Sequence, residues 1–257
     1  MADKHGDWVW YELMTGDAAG AQAFYGPLLD WKIANPASDG FDYREIQAAD
    51  GGFVGGILQI TPEMVGAQPG WVGYIAVDDV DASVASIEAA GGRLCMPARD
   101  LPGVGRFAMV FDPQGAIFYV MKSATDETST AFAADAPNPG HCAWNELMTA
   151  DRAGAMAFYT RQFGWVKDGD MEMGPMGTYE FIRHGAVIGG VMTKMPEMSV
   201  SAWAFYFRVA DIDTAVEQVK ASGGTVYNGP QEIPGGEFTI NGIDPQGAHF
   251  ALVGVKR

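Results

Sequence analysis

WYELMT at residues 10–15 returns as WNELMT at residues 144–149, which is 134 positions further along the chain. The same offset relates FYGPLLDW to FYTRQFGW, and an offset of 132 relates VDDVDASVASIEAAGG to VADIDTAVEQVKASGG and FDPQGAIF to IDPQGAHF. A self-similarity of this length indicates a duplicated architecture. The chain therefore consists of two halves built on one plan, which differ by a two-residue deletion.

Each half is itself divided, because a strand, a helix and several further strands follow one another twice within it. Residues 8–15 alternate between apolar and polar side chains and predict a strand, after which Asp17 is placed to cap a helix over AAGAQAFYGPLL. A second such series begins at WVGYIAV, continues through the helix that starts in VDDVDAS, and ends around the turn sequence DPQG. The four GG pairs, at 55–56, 91–92, 189–190 and 223–224, are predicted to form turns.

The resulting prediction is an α+β protein of four βαβββ modules. The first domain covers residues 1–122 and the second covers residues 141–257, with two modules in each. The segment 123–140 is rich in Ala, Ser, Thr, Asp and Pro and is predicted to be a linker.

Composition excludes several classes of partner. Thirty-two acidic and 16 basic side chains give a formal net charge of −16, which repels a phosphate backbone and anionic headgroups. We therefore expect no nucleic-acid and no membrane partner. The N-terminus lacks the apolar core of a signal peptide, and no run is long enough to span a bilayer, so a cytoplasmic location is expected.

The paired ELMT, FY, VDDVDA and DPQG motifs resemble those of the vicinal oxygen chelate superfamily, which contains glyoxalase I, bleomycin-resistance proteins and extradiol dioxygenases. The resemblance covers nearly all of the chain outside the linker and is to two-domain members related to lactoylglutathione lyase. It implies that two modules pair into a curved, mostly antiparallel eight-stranded sheet with outer helices and a concave ligand cavity. It also implies a monomer that is a pseudo-dimer of domains, or a weak homodimer.

The resemblance further implies where a metal would be bound, because metal-using members hold a cation with His, Glu or Gln on the sheet. The matching positions carry side chains that are mostly unsuited to that role: Trp10 and Trp144, Val72 and Ala204, and Tyr119 and Ala251. Gln59 is a possible fourth ligand in the first half, with Thr193 opposite it in the second. We therefore expect no metal cofactor, and a divalent metal ion held by Glu12, Glu146 or His249 is the alternative.

Strand alternation predicts which side chains face the cavity instead. The predicted ligand-binding residues are Trp10, Glu12, Met14, Tyr74 and Tyr119 in the first half, and Trp144, Met148 and Tyr206 in the second. Glu146, Arg208 and His249 are predicted as catalytic residues for acid-base chemistry without a metal. An ion pair between Arg208 and Glu146 is the structural alternative, and aromatic side chains that merely fill a narrowed cavity are another.

The expected function is therefore that of a glyoxalase-like or bleomycin-resistance-like protein that binds a small organic molecule in an aromatic cavity. The first alternative is a metal-dependent lyase or dioxygenase of the same superfamily. The second is a structural or interaction protein without catalytic activity.

Overall fold

The structure is a computed structural model that describes residues 3–36, 42–133 and 138–257. Its first half contains β1 (Trp8–Thr15), α1 (Ala18–Leu29), β2 (Lys32–Ile33), β3 (Tyr43–Gln47), β4 (Phe53–Gln59), β5 (Gly70–Ala76), α2 (Val80–Ala89), β6 (Arg93–Leu101), β7 (Gly105–Phe111) and β8 (Ile117–Ser123). Its second half contains β9 (Cys142–Thr149), α3 (Arg152–Phe163), β10 (Val166–Glu172), a 3-10 turn (Gly174–Met176), β11 (Thr178–His184), β12 (Ala186–Thr193), β13 (Ala202–Val209), α4 (Ile212–Ala221), β14 (Thr225–Glu232), β15 (Phe238–Ile243) and β16 (His249–Gly254).

The strands form two eight-stranded mixed sheets with the same order. The first runs β2-β3-β4-β1-β5-β8-β7-β6, and the second runs β10-β11-β12-β9-β13-β16-β15-β14. Within each module the first strand pairs in parallel with the last, as β1 does with β4 and β5 with β8. The predicted α+β fold with two βαβββ modules per sheet is therefore confirmed.

Each α-helix in the described part of the chain is preceded by an aspartate whose side chain accepts a hydrogen bond from the backbone N–H three residues later. The aspartates are Asp17, Asp79, Asp151 and Asp211. Such caps satisfy one of the orphan N–H groups in the first turn. The start of each helix is thus encoded locally and in the same way in all four modules. The prediction that Asp17 caps the first helix is confirmed.

The chain forms two compact units that combine modules from both halves. The first contains residues 73–129 and 144–203 together with the N-terminal segment up to Val9, and the second contains residues 10–72, 130–143 and 204–257. Each sheet is formed by one half of the chain, 1–122 or 141–257. Each compact unit, in contrast, contains one module from each half: the second module with the third, and the first module with the fourth. The halves are therefore not the compact units.

Within each unit, the FY motif of one half is bonded to the DPQG motif of the other. Tyr159 donates its hydroxyl hydrogen to Asp112 at 3.0 Å, and the indole of Trp203 donates to the same hydroxyl at 3.0 Å. The other carboxylate oxygen of Asp112 accepts the N–H groups of Gln114 and Ala116 and so closes the turn. Burial raises the pKa of the Asp112 carboxyl. The pKa of the Tyr159 hydroxyl lies well above 10.0, mainly because the group is buried and secondly because the charge of Asp112 is close to it.

The second unit repeats this arrangement. Tyr25 donates to Asp244 at 3.0 Å and accepts from the indole of Trp71 at 3.3 Å. Asp244 also accepts the N–H groups of Gln246 and Ala248. Two motifs that are far apart in the sequence thus form one buried network in each unit.

Two of the predicted turn glycine pairs lie inside strands, which corrects the sequence interpretation. Gly55 and Gly56 belong to β4, and Gly189 and Gly190 belong to β12. A Cβ atom on Gly189 would lie 1.8 Å from the carbonyl oxygen of Asn145, and one on Gly190 would lie 2.0 Å from the ring of Tyr179. These glycines allow a neighbouring strand and an aromatic ring to approach closely, and they do not form turns.

Replacing Tyr159 with phenylalanine should destabilise the fold by about 1–3 kcal/mol, because a buried carboxylate and a buried indole N–H each lose a hydrogen-bond partner. Urea unfolding of the wild type and the variant measures the difference. Tyr227→Phe is the matched control, since the side chain of Tyr227 is 55% exposed. A Tyr159 variant as stable as the control would show that the network contributes nothing to stability.

Replacing Gly190 with alanine should displace the ring of Tyr179, since the new methyl group would occupy its position. We expect a lower melting temperature and altered tryptophan fluorescence, because Trp144 bonds to that ring. Gly70→Ala serves as the control, because Gly70 also lies in a strand and a Cβ there meets nothing within 4 Å. Equal behaviour of the two variants would contradict the close contact.

Candidate functional site

The first strand of each half separates a core face from a second face that carries the predicted site residues. In β1, Tyr11 and Leu13 are fully buried, whereas Trp10 and Met14 on the opposite face are half-buried. Glu12 shares the face of Trp10 and is only 4% exposed. A carboxylate at this depth must be held by polar neighbours, since burying an unpaired charge is costly.

In the second half, Trp144, Tyr179 and Glu146 form a chain of hydrogen bonds that we call the third-module cluster. The indole N–H of Trp144 donates to the hydroxyl of Tyr179 at 2.7 Å, and this hydroxyl donates to a carboxylate oxygen of Glu146 at 2.9 Å. Phe181 packs beside both rings, with centroid distances of 6.0 Å to Trp144 and 5.6 Å to Tyr179. The cluster combines an aromatic surface with one oriented carboxylate, and both Trp144 and Glu146 are half-buried.

The first half contains a corresponding first-module cluster. The indole of Trp10 donates to the hydroxyl of Tyr43 at 2.8 Å. The ring of Tyr43 lies over Gly56, which is the residue that pairs with Glu12 in the neighbouring strand. Glu45 takes the place that Phe181 has in the other cluster, since each pairs with the second glycine of its strand.

Sequence reasoning missed both tyrosines, Tyr43 and Tyr179. The available signal was the glycine pair in β4 and β12, which leaves room above the strand for a ring from its neighbour. Because a pair of glycines is also typical of a turn, the sequence alone does not indicate that an aromatic side chain lies across it.

The second module presents a closed aromatic surface. The rings of Tyr74 and Tyr119 stack with their centroids 4.0 Å apart and an interplanar angle of 12°. Phe107 lies 6.2 Å from Tyr74 and 6.0 Å from Tyr119. All three side chains are buried. Two of the predicted ligand-binding residues thus contact each other directly.

The fourth module is more polar. The guanidinium of Arg208 forms a bidentate ion pair with Glu237, one bond of which measures 3.2 Å. The ion-pair partner of Arg208 is thus Glu237, in place of the Glu146 that the sequence offered as an alternative. Tyr206 is buried and accepts a hydrogen bond from the side chain of Asn241 at 3.2 Å.

The three predicted catalytic residues are distributed over the molecule. Glu146 belongs to the first compact unit, and Arg208 and His249 belong to the second. His249 is exposed and lies 3.3 Å from the hydroxyl of Tyr227. Because Arg208 pairs with Val253 in the parallel register, His249 is four residues away along the strand, or about 13 Å. A joint acid-base role for Arg208 and His249 would need a substrate that spans this distance.

The donor set does not fit the metal site that the family resemblance implies. Side chains at the matching positions are indole, aliphatic or phenol groups, and the remaining candidate, Gln59, is already used. Its amide accepts from the N–H of Ala18 at 2.8 Å and donates to the carbonyl of Gly16 at 2.7 Å, which fastens the turn before α1. Among the described residues, no three His, Cys, Asp or Glu side chains are grouped so that they could hold a metal ion.

The other three histidines have structural partners. His5 contacts the carbonyl of Gln162 at 2.7 Å, and His184 lies 3.3 Å from Asp7. His141 is almost fully buried, which the sequence did not predict, and it joins the carbonyl of Thr130 to the carboxylate of Asp50.

Comparison with known sequences identifies the relatives of this chain. The sequence model of the Glyoxalase/Bleomycin resistance protein/Dioxygenase superfamily matches residues 138–252. "Putative glyoxylase CFP32" of Mycobacterium tuberculosis is 33% identical over 248 residues, which is 95% of this chain and 93% of that protein. "Anthracycline biosynthesis protein DnrV" of Streptomyces peucetius is 30% identical over 269 residues, with 96% and 93% coverage.

Solved structures show the same fold at low sequence identity. The Mn(II)-bound glyoxalase from Novosphingobium aromaticivorans is 17% identical and superposes with a TM-score of 0.67 over 98% of this chain and 84% of that one. The 2,3-dioxygenase LapB from Pseudomonas sp. KL28 is 14% identical, with a TM-score of 0.65 and coverage of 99% and 94%. In the described part of the chain, no helix is long and apolar enough to cross a membrane. The chain belongs to the glyoxalase/bleomycin resistance protein/dioxygenase superfamily.

Proposed function

We propose that this chain binds a planar organic molecule against its Trp–Tyr–Glu clusters and does so without a resident metal ion. The observation that carries the proposal is the hydrogen-bonded chain from Trp144 through Tyr179 to Glu146. Its two ends are half-buried, so that an indole face and a carboxylate are offered together on one sheet face.

Each member of the cluster has a distinct physical role. The face of an indole stacks on planar rings and attracts cations, which contributes about 0.5–2 kcal/mol. The hydroxyl of Tyr179 holds Glu146 in one orientation, so the carboxylate does not lose further rotamer freedom when a ligand donor binds to it. A planar molecule that carries a protonated amine would use both features at once.

The names of two relatives agree with this ligand class. Proteins from Streptomyces peucetius and Streptomyces sp. strain C5, 30% and 29% identical to this chain, are named for anthracycline biosynthesis. Anthracyclines contain a fused, planar ring system, which is the shape that an indole face complements. We propose that the ligand class is molecules with a fused aromatic ring system.

A metal-dependent lyase or dioxygenase is the second candidate function. It is favoured by the structural similarity to the Mn(II)-bound glyoxalase. It is disfavoured by the indole, aliphatic and phenol groups at the positions that the resemblance assigns to ligands, since these do not replace the water shell of a divalent ion.

Replacing Glu146 with glutamine should weaken binding of a planar cation about tenfold or more, because a charge-assisted hydrogen bond becomes a neutral one. The probes are 9-aminoacridine, which is protonated at neutral pH, and neutral anthraquinone, both measured by isothermal titration calorimetry. Anthraquinone affinity should change little. Glu217→Gln on α4 is the control, since it removes the same charge at an exposed position. An equal loss for both probes would contradict the placement of the carboxylate at the ligand.

Metal analysis separates the two candidate functions. We expect purified protein to contain well below one equivalent of Mn, Fe, Ni or Zn, and we expect 9-aminoacridine affinity to be unchanged after chelation. Elemental analysis and titration before and after EDTA treatment provide the measurement. One equivalent of metal, with binding lost on its removal, would favour the lyase or dioxygenase.

A further inference from the structure

The N-terminal segment of the first compact unit and the end of the linker in the second unit make equivalent contacts. Gly6 donates its N–H to the carbonyl of Ala76 at 2.8 Å, and Gly140 donates to the carbonyl of Arg208 at 2.8 Å. In each unit a tryptophan indole also donates to the carbonyl of that glycine, at 2.8 Å and 2.7 Å. The two backbones are therefore held in the same way, and their side chains can be compared position by position.

In the first unit, the side chain of His5 joins two backbone groups. Its Nδ1 atom lies 3.2 Å from the backbone nitrogen of Asp78, and its Nε2 atom lies 2.7 Å from the carbonyl oxygen of Gln162. Because a backbone N–H only donates, Nδ1 is the acceptor and Nε2 donates its hydrogen to the carbonyl. A neutral imidazole ring thus connects the loop before α2 to the last turn of α3.

In the second unit, a proline takes the position of this histidine. Pro139 lies 134 positions after His5, and its side chain has neither a donor nor an acceptor. The residues that match Asp78 and Gln162 are Ala210 and Leu28. Within the described part of the chain, neither the N–H of Ala210 nor the carbonyl of Leu28 has a hydrogen-bond partner. The donor and the acceptor that the imidazole joins in one unit are thus not joined in the other.

A cavity of about 430 Å³ lies at this place in the second unit. Leu28, Pro139 and Ala210 all line it, and these are the counterparts of the three residues that meet at the imidazole ring. Every lining residue belongs to the second compact unit. The volume falls within the range of about 300–1,000 Å³ that is usual for small-molecule sites, so the cavity has room for a ring and a substituent.

The walls of the cavity are partly apolar and carry negative charge. Leu28 and Leu29 contribute buried side chains. Arg208 lines the cavity as well, but its guanidinium is paired with Glu237. Three carboxylates, which are ionised at neutral pH, also line it: Asp30, Asp50 and Asp211. The cavity therefore favours a positively charged substituent over a negatively charged one.

We propose that this cavity binds a small molecule that consists of a neutral imidazole-type ring and a positively charged substituent. The unprotonated ring nitrogen accepts the N–H of Ala210, and the ring N–H donates to the carbonyl of Leu28, as the ring of His5 does in the other unit. The cavity shares no residue with the Trp–Tyr–Glu clusters, so this binding site is separate from the proposed function and does not rest on it.

The first test fills the cavity with a ring from the chain itself. Histamine is the probe, titrated at a pH above the pKa of its imidazole and followed through the backbone amide signals of Ala210 and Asp211 in ¹H–¹⁵N spectra. Pro139→His should weaken histamine binding about tenfold or more, because the new side chain takes both hydrogen bonds. Pro102→His is the matched control, since Pro102 is also exposed and lies outside the cavity.

A second variant tests the hydrogen bond directly and covers the case in which Pro139→His does not fold. Ala210→Pro removes the N–H, and Ala210 lies outside both β13 and α4, so that no strand or helix bond is lost. Histamine affinity, read from the amide signal of Asp211, should fall about threefold or more, as the loss of one neutral hydrogen bond implies. Unchanged affinity in this variant would overturn the proposal.

The reverse substitution should create a second site. Removal of the ring in His5→Ala leaves the N–H of Asp78 and the carbonyl of Gln162 as the free pair. We expect the amide signal of Asp78 to respond to histamine in this variant and not in the wild type. Absence of that response would show that such a backbone pair does not recognise an imidazole, and would overturn the proposal.

A negatively charged probe tests the role of the carboxylates. Imidazole-4-acetate carries the same ring as histamine with the opposite charge on its substituent, so we expect it to bind several times more weakly in the same titration. Equal affinity for the two probes would contradict the preference for a positive substituent. Failure of the wild-type Ala210 signal to respond to histamine, or an equal response after Pro139→His, would overturn the site itself.

Discussion

The buried hydrogen bond between tyrosine and aspartate is the constraint on which the rest of the structure depends. It occurs as Tyr159 with Asp112 in one compact unit and as Tyr25 with Asp244 in the other. In each case the tyrosine comes from the first helix of one half, and the aspartate closes a strand-to-strand turn of the other. A buried polar group without a partner costs about 1–3 kcal/mol. Each half therefore provides the hydrogen-bond partner that a buried group of the other half requires.

This constraint also organises the aromatic core around it. Tyr159 stacks on Trp165 with an interplanar angle of 10° and contacts Trp203 edge-on, and Tyr25 contacts Trp71 edge-on in the other unit. Large rings fill these interiors, while the opposite sheet faces carry the clusters with Glu12 and Glu146. The scaffold is thus held together on one side of each sheet, and the hydrogen-bonded clusters of Trp10 and Trp144 lie on the other side.

Much of the fold could be predicted from the sequence because its signals are local or repeated. The helix starts at Asp17 and its equivalents follow from cap chemistry, and the module order follows from the repetition of ELMT, FY and DPQG. The exchange of modules between the compact units could not be predicted, since nothing in the FY or DPQG motif alone states which copy is its partner. Similar motifs in both halves make the two pairings indistinguishable in the sequence.

Strand periodicity indicated some contacts of the candidate site and gave no sign of others, in each case for a specific reason. Alternation was sufficient to separate Trp10 and Glu12 from Tyr11, because strand periodicity is strict. It could not reveal Tyr43 and Tyr179, which reach the tryptophans from another strand, nor Glu237, which pairs with Arg208 from the loop just before β15. Contacts between strands depend on pairing register, and a single sequence shows that register only where a pattern such as the strand glycines is interpreted correctly.

Fusion of the two halves into one chain has a consequence for how the binding surfaces can change. In a dimer of identical single-domain subunits, every substitution that opened one surface would appear in the other as well. Here the tyrosine–aspartate bond is present in both units, whereas a hydrogen-bonded pair, Asn228 and Asn241, lies where the other half has Met96 and Met109. The linked halves therefore share one folding requirement, while the side chains on their sheet faces are free to differ from one half to the other.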